Sequence, residues 1–214
     1  MIIKIPEILY RGDDDRFKIR NLKTTLHFSQ LQTNLLNGGQ GHAIFNTPLL
    51  KLVADHVDPG WATTHFLSFS EEKKVAYRFA LHCEYDEVDT LIEDYNEYYQ
   101  SGPDWDFAII GIDTRRITWK LLAAGIYEGT YQPQLLEFKM FPGIYKVILI
   151  NVQEAIKHLP SLTNFIAVNA NATKDKEWLL LPATEMIMNT GKIEYSGVVD
   201  GNCISEITRY KRIQ

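Results

Sequence analysis

Apolar residues along this chain follow two spacings, and the switches between them mark the elements. Ile5 to Tyr10 is a short apolar run that reads as a strand, leading into Arg11-Gly12 and the acidic turn Asp13-Asp14-Asp15. Gly38, Gly39 and Gly41 mark a flexible connection. Leu49, Leu50, Val53, Ala54 and Val57 then recur at helical spacing, with Thr47 as cap, Pro48 in the first turn and Asp58-Pro59-Gly60 as the stop. Phe66 to Ser70 reads as a strand running directly into a helix whose buried stripe is Val75, Ala76, Phe79, Ala80 and Cys83. Ser70 is placed to cap that helix, and Glu71 and Glu72 suit the positive end of its dipole.

Further along, Phe107 to Ile112 and Tyr145 to Ile150 are strongly apolar and predict central strands. Between them, Thr114 reads as the cap of a helix carried through Ile117, Leu121 and Leu122. Asn151 with Glu154 is a capping pair for a short helix ended by Pro160. Leu179 to Leu181, bounded by Pro182, reads as a buried strand. Met186 to Met188, Ile193 to Ser196 and Cys203 to Tyr210 add short strands, with turns at Gly191 and Asp200-Gly201. Helices crowd the first half and strands the second, so the pattern predicts one α+β domain over residues 1–214 and not alternating βαβ units.

Composition changes this picture little. With 214 residues and 45% apolar content, the chain is long enough for one well-buried core. Its net charge of −5 gives no electrostatic case for nonspecific nucleic-acid binding. Glu84 to Asp106 is an acidic stretch without Lys or Arg and reads as a solvated helical face. Cys83 and Cys203 are too few for a disulfide framework or a zinc cluster, and the histidines lack metal-ligand spacing. Met1 to Pro6 lacks the pattern of a secretory signal, and no apolar run reaches the length of a membrane span. The expectation is a soluble protein, cytoplasmic or delivered into a target cell without a cleaved signal peptide.

Candidate chemistry gathers in three short segments: Tyr10-Arg11-Gly12, Ser68-Phe69-Ser70 before a helix, and Asp175-Lys176-Glu177 before a strand. An arginine presents a fork of donors that matches phosphate. Glycine lets a flat ligand approach the backbone. Ser68 and Ser70 share one face of a strand by its period of two, where a hydroxyl can fix a carboxylate. Asp175 and Glu177, two apart, would point to the same side of an extended backbone. Each residue also has a plainer reading. Arg11 pairs with the acidic turn after it, Ser68 is a satisfied polar residue at a sheet edge, and Asp175 balances Lys174 and Lys176.

In their order, these segments resemble the arginine, serine and glutamate motifs of mono-ADP-ribosyltransferases of the cholera-toxin-like group. Phe66-Leu67-Ser68-Phe69-Ser70-Glu71-Glu72 looks like that family's Ser-x-Ser strand and following helix, and Glu177-Trp178-Leu179-Leu180-Leu181-Pro182 like its catalytic glutamate and apolar strand. The resemblance implies an ADP-ribosyltransferase-like fold: helices mainly in the N-terminal half, packed on a split, mostly antiparallel β core with an NAD cleft. It implies NAD as co-substrate, no metal, a protein acceptor ahead of a nucleic-acid one, and a toxin or effector role. Arg11 would serve the NAD phosphate and ribose, and Gly12 backbone groups the nicotinamide amide. Ser68 would orient Glu177 and contact the ribose, while Glu177 would stabilise positive charge as the glycosidic bond breaks. Phe69, Phe107, Trp105, Tyr95, Tyr98 and Tyr99 are candidates for the ring that stacks on nicotinamide. Asp175 stands where the family carries Glu or Gln and would orient the acceptor; its shorter side chain leaves the acceptor open. The alternatives are an NAD glycohydrolase of the same fold and an interaction module that has lost the chemistry.

Overall fold

The computed structural model describes residues 4–14, 25–26, 49–58, 66–97, 106–131, 145–159, 162–183, 186–187, 193–194, 199–200 and 204–212. Its elements run in chain order β1 (Ile8–Asp14), β2 (Thr25–Leu26), α1 (Leu49–Val57), β3 (Leu67–Ser70), α2 (Lys73–Leu81), α3 (Val88–Glu97), β4 (Phe107–Asp113), β5 (Thr118–Ala123) and β6 (Ile126–Tyr131). There follow β7 (Tyr145–Asn151), α4 (Val152–Ala155), α5 (Phe165–Asp175), β8 (Glu177–Ala183), β9 (Met186–Ile187), β10 (Ile193–Glu194), β11 (Val199–Asp200) and β12 (Ile204–Tyr210). Eight strands form one antiparallel sheet in the order β12-β4-β1-β3-β8-β7-β6-β5, and β9–β10 and β2–β11 form two small ribbons. The class is α+β. Thr47, Pro48, the glycines at 38, 39 and 41, Asp15, Pro59, Gly60, Trp105, Tyr98, Tyr99, Pro160, Gly191, Gly201 and Cys203 lie outside the described residues.

Strand β4 is buried along its whole length, as its unbroken apolar sequence requires of a strand covered on both faces. Its residues sort by parity. Ala108, Ile110 and Ile112 join Leu9, Leu67, Phe69, Tyr127, Val147, Leu149, Trp178 and Leu180 in a single cluster. That cluster runs along one face of the sheet from β4 through β1, β3, β8 and β7 to β6. On the outer face, Phe107 and Ile109 pack with Ala76, Tyr77 and Ala80 of α2, while Ile150 and Leu179 pack with Val53 of α1 and with α4.

The two halves meet at a narrow seam. Strand β1 pairs with β4 from Ile8↔Asp113 to Asp14↔Phe107, and β3 pairs with β8 from Leu67↔Leu180 to Ser70↔Glu177. Between β1 and β3 the described register is the single pair Tyr10↔Ser70.

Several expectations need correcting. Thr114 opens only a single 3-10 turn, Thr114–Arg116, after which Ile117, Leu121 and Leu122 enter or lie in an exposed edge strand paired with β6. Gly125, at φ +72, makes the hairpin turn that a helix would not contain. A half-exposed edge strand need not alternate apolar and polar residues, so its spacing imitated a helix. In α2, Phe79 is half exposed and Tyr77 takes the buried place expected for it. Asp13 and Asp14 belong to β1 and form no turn, and Arg11 lies inside that strand, not at its end. Helices are not confined to the first half, because α4 and α5 fall between β7 and β8. The acidic stretch does supply an exposed helix, α3, seated on the core by buried Val88.

Candidate active site

Ser70 and Glu177 are register partners across β3 and β8, so their side chains, with Ser68, stand on the same outer face. On that face the last turn of α1 brings in His56. Its Nε2 lies 3.2 Å from Ser68 Oγ and 3.6 Å from Glu177 Oε1. The imidazole is edge-on to Phe66, with ring centroids 5.6 Å apart, and its Nδ1 is buried without a hydrogen-bond partner among the described residues. An unmet acceptor costs less here than an unmet N–H, so the tautomer with hydrogen on Nε2 is favoured. That proton then points at the serine and the carboxylate.

Arg11 approaches from the other side of the seam. Continuing the β1–β3 ladder would set Gly12 against Ser68; instead the Arg11 Nη1 donates to the Ser68 carbonyl at 3.2 Å. The guanidinium satisfies that backbone acceptor. Arg11 is thus joined to the Ser68 backbone, while His56 lies between the Ser68 hydroxyl and Glu177, so these residues, distant in sequence, are linked through Ser68.

Gly12 and Phe69 are placed differently. A Cβ on Gly12 would lie 1.9 Å from the Ala76 carbonyl oxygen, so glycine is required there by the packing of α2 on β1. Phe69 is 2% exposed in the cluster along the sheet and offers no face to a ligand. Phe107 stacks on Tyr210 at 4.5 Å, with Tyr95 at its edge, and belongs to the core under α2.

Asp175 and Glu177 do not share an extended backbone. Asp175 ends α5, Lys176 takes the left-handed conformation at φ 44, and Glu177 begins β8. The reversal turns the two carboxylates into different surroundings. Asp175 Oδ2 receives Arg78 at 3.1 Å, its Oδ1 accepts from the Tyr85 hydroxyl, and its carbonyl accepts from Ser70 Oγ at 2.6 Å. Burial, then the Asp175 hydrogen bond, raises the Tyr85 pKa, which keeps the phenol a donor. Arg78 and Lys174 both lie against the Tyr85 ring, at 4.8 and 4.1 Å from its centroid. Ser70 Oγ also accepts from the Glu72 amide at 3.0 Å, so the expected capping hydroxyl serves the turn just ahead of α2. These bonds fix the corner from which Glu177 projects.

Beside Glu177, a hollow of about 260 Å³ is lined by Glu71, Asn151, Gln153, Thr173, Lys176 and Glu177 among others. Among the described residues, no group of His, Cys, Asp and Glu is arranged to hold a metal ion, and no helix is long and apolar enough to cross a membrane. Comparison with protein-family models, curated proteins and solved structures returned no match.

His56 is the residue the sequence reading passed over. A signal existed: it lies three residues after Val53, on the apolar side of a helix where an imidazole would be half buried. A test for metal spacing does not find a single histidine aimed at a serine and a glutamate.

Proposed function

We propose that the chain is an NAD-dependent mono-ADP-ribosyltransferase of toxin or effector type, transferring ADP-ribose to a protein acceptor and releasing nicotinamide. The observation that supports this reading is that Arg11 contacts the Ser68 carbonyl beside the β1–β3 pairing, while His56 stands between the Ser68 hydroxyl and Glu177. Arg11 serves the NAD phosphate and ribose with its guanidinium. Backbone groups near Gly12 take the nicotinamide amide. Ser68 and His56 hold the Glu177 carboxylate in place. Glu177 accepts from a ribose hydroxyl and stabilises the charge that develops as the bond to nicotinamide breaks, an effect worth roughly 3–4 kcal/mol for a preorganised group. Nicotinamide departs neutral, so the reaction needs no acid on the leaving group. Asp175, held by Arg78 and Tyr85, shapes the corner and is not spent on the acceptor.

The test is incubation of the wild-type protein with NAD labelled in its adenylate, alone and with a cell lysate. Label that stays on protein after denaturation, with nicotinamide released in equal amount, is the expected result. Nicotinamide release without label on protein points to the glycohydrolase. Neither product would remove both readings and leave a binding module.

A further inference from the structure

Glu177 borders two spaces. On one side it meets His56, which also reaches Ser68; towards α4 and α5 it borders the hollow, which neither His56 nor Ser68 lines. A hollow of about 260 Å³ falls below the usual range for a whole small-molecule site, and a single long side chain suits it better. All its lining residues except Ala172 carry polar side chains. Gln153 Nε2 donates to Thr173 Oγ1 at 3.0 Å, and Asn151 Oδ1 accepts from the Glu154 amide at 2.9 Å, so these two wall residues are held in position.

The second carboxylate of the hollow is Glu71, immediately after the Ser68-Phe69-Ser70 strand. Its Oε1 accepts from the indole N–H of Trp178 at 2.8 Å, and Trp178 is fully buried. Its backbone amide donates to the Lys176 carbonyl at 3.4 Å. A carboxylate fixed through one oxygen by a buried indole is oriented, and its second oxygen can serve an incoming group. The Lys176 ammonium pairs with Glu72 at 2.6 Å, and Glu71 is its second and weaker charge partner.

We infer that this hollow is the acceptor subsite and that Glu71, not Asp175, is its acceptor-facing carboxylate. The inference rests on the reading of Glu177 as the group that promotes NAD cleavage. The acceptor is a side chain with an N–H or O–H to surrender. Its lone pair forms the new bond to the anomeric carbon of the nicotinamide ribose. The bond from that carbon to the nicotinamide nitrogen breaks with its electron pair going to nicotinamide, and the acceptor proton passes to Glu71. Bond cleavage is promoted by Glu177, and water entering from solvent captures the ribosyl carbon and then loses its proton to solvent, so hydrolysis does not depend on Glu71, which acts on a side chain seated in the hollow.

Glu71→Gln keeps an oxygen for the Trp178 indole and removes the base. Agmatine and methanol serve as N–H and O–H probes, with adducts and ADP-ribose measured together. Wild type forms an adduct with at least one probe; Glu71→Gln lowers that adduct about 100-fold and hydrolysis by less than about 2-fold, and Glu71→Asp restores part of the transfer. Equal losses in transfer and hydrolysis, unchanged transfer, or hydrolysis by wild type with no adduct from either probe each overturn the inference. Absence of nicotinamide release from wild type under every condition would instead remove the underlying reading, and this inference with it.

Discussion

Two carboxylates two residues apart occupy opposite conditions. At the end of α5, both oxygens of Asp175 are engaged, by Arg78 and Tyr85, and its backbone carbonyl is taken by Ser70. At the start of β8, Glu177 has a more exposed side chain, 25% against 16%, and the histidine beside it stands at 3.6 Å, beyond a good hydrogen bond. A group with every partner satisfied contributes to the fold. One held at the edge of a seam, with capacity left, is available to a ligand. The single left-handed residue Lys176 separates these conditions, so chemistry and structure divide within one tripeptide.

The contrast can be broken by substitution. Glu177→Gln is expected to lower nicotinamide release by about 100- to 1,000-fold and leave the thermal midpoint where it was. An equal fall in stability would place Glu177 with Asp175. Arg78→Ala leaves the Asp175 carboxylate without its cation in a partly buried place. It should cost about 2–3 kcal/mol in urea unfolding, with any loss of activity recovered at lower temperature.

Asp113 sharpens the comparison, being a locked carboxylate on β4 away from the seam. It accepts from the Arg115 amide at 3.1 Å and from its guanidinium at 2.8 Å. Those hydrogen bonds, partly opposed by burial, hold its pKa below the ordinary value. Asp113→Ala should cost about 1–2 kcal/mol at neutral pH with turnover unchanged. A lowered carboxylate stabilises above its unfolded pKa, and the contribution is lost as pH falls through the folded one. The gap between wild type and variant should therefore close in acid. The smallest effect is expected from Tyr85→Phe, about 1 kcal/mol. Because the folded-state pKa of Tyr85 is raised, its contribution is present below the ordinary phenol value and fades as pH rises above it. The variant should lose stability less steeply in alkali than wild type, followed by circular dichroism.

The parts of this fold that were legible are those where local pattern and burial agree. Phe107 to Ile112 and Leu179 to Leu181 are central strands because continuous apolar runs need cover on both faces. Leu121 and Leu122 misled because they are exposed on an edge, where spacing carries no burial signal. The room at Gly12 and the direction of Phe69 were not legible for a related reason. Sequence shows that a glycine is present but not whether a ligand or the Ala76 carbonyl needs the room, and the parity that places Ser68 outward sends Phe69 into the core. Arg11, Ser68 and Glu177 could be named as candidates, but the order of strands that makes β1 and β8 the two neighbours of β3 is a property of the whole sheet. His56 depends on how α1 lies across it.

An NAD titration of the Glu177→Gln protein, followed by backbone amide resonances, tests the central claim most directly, since this variant should bind NAD without consuming it. The account predicts saturable shifts at Tyr10 to Gly12, His56, Ser68 to Ser70 and residue 177, with little change at Asp113 to Thr118. No saturable shifts, or shifts confined to residues away from the β1–β3 seam, would contradict it.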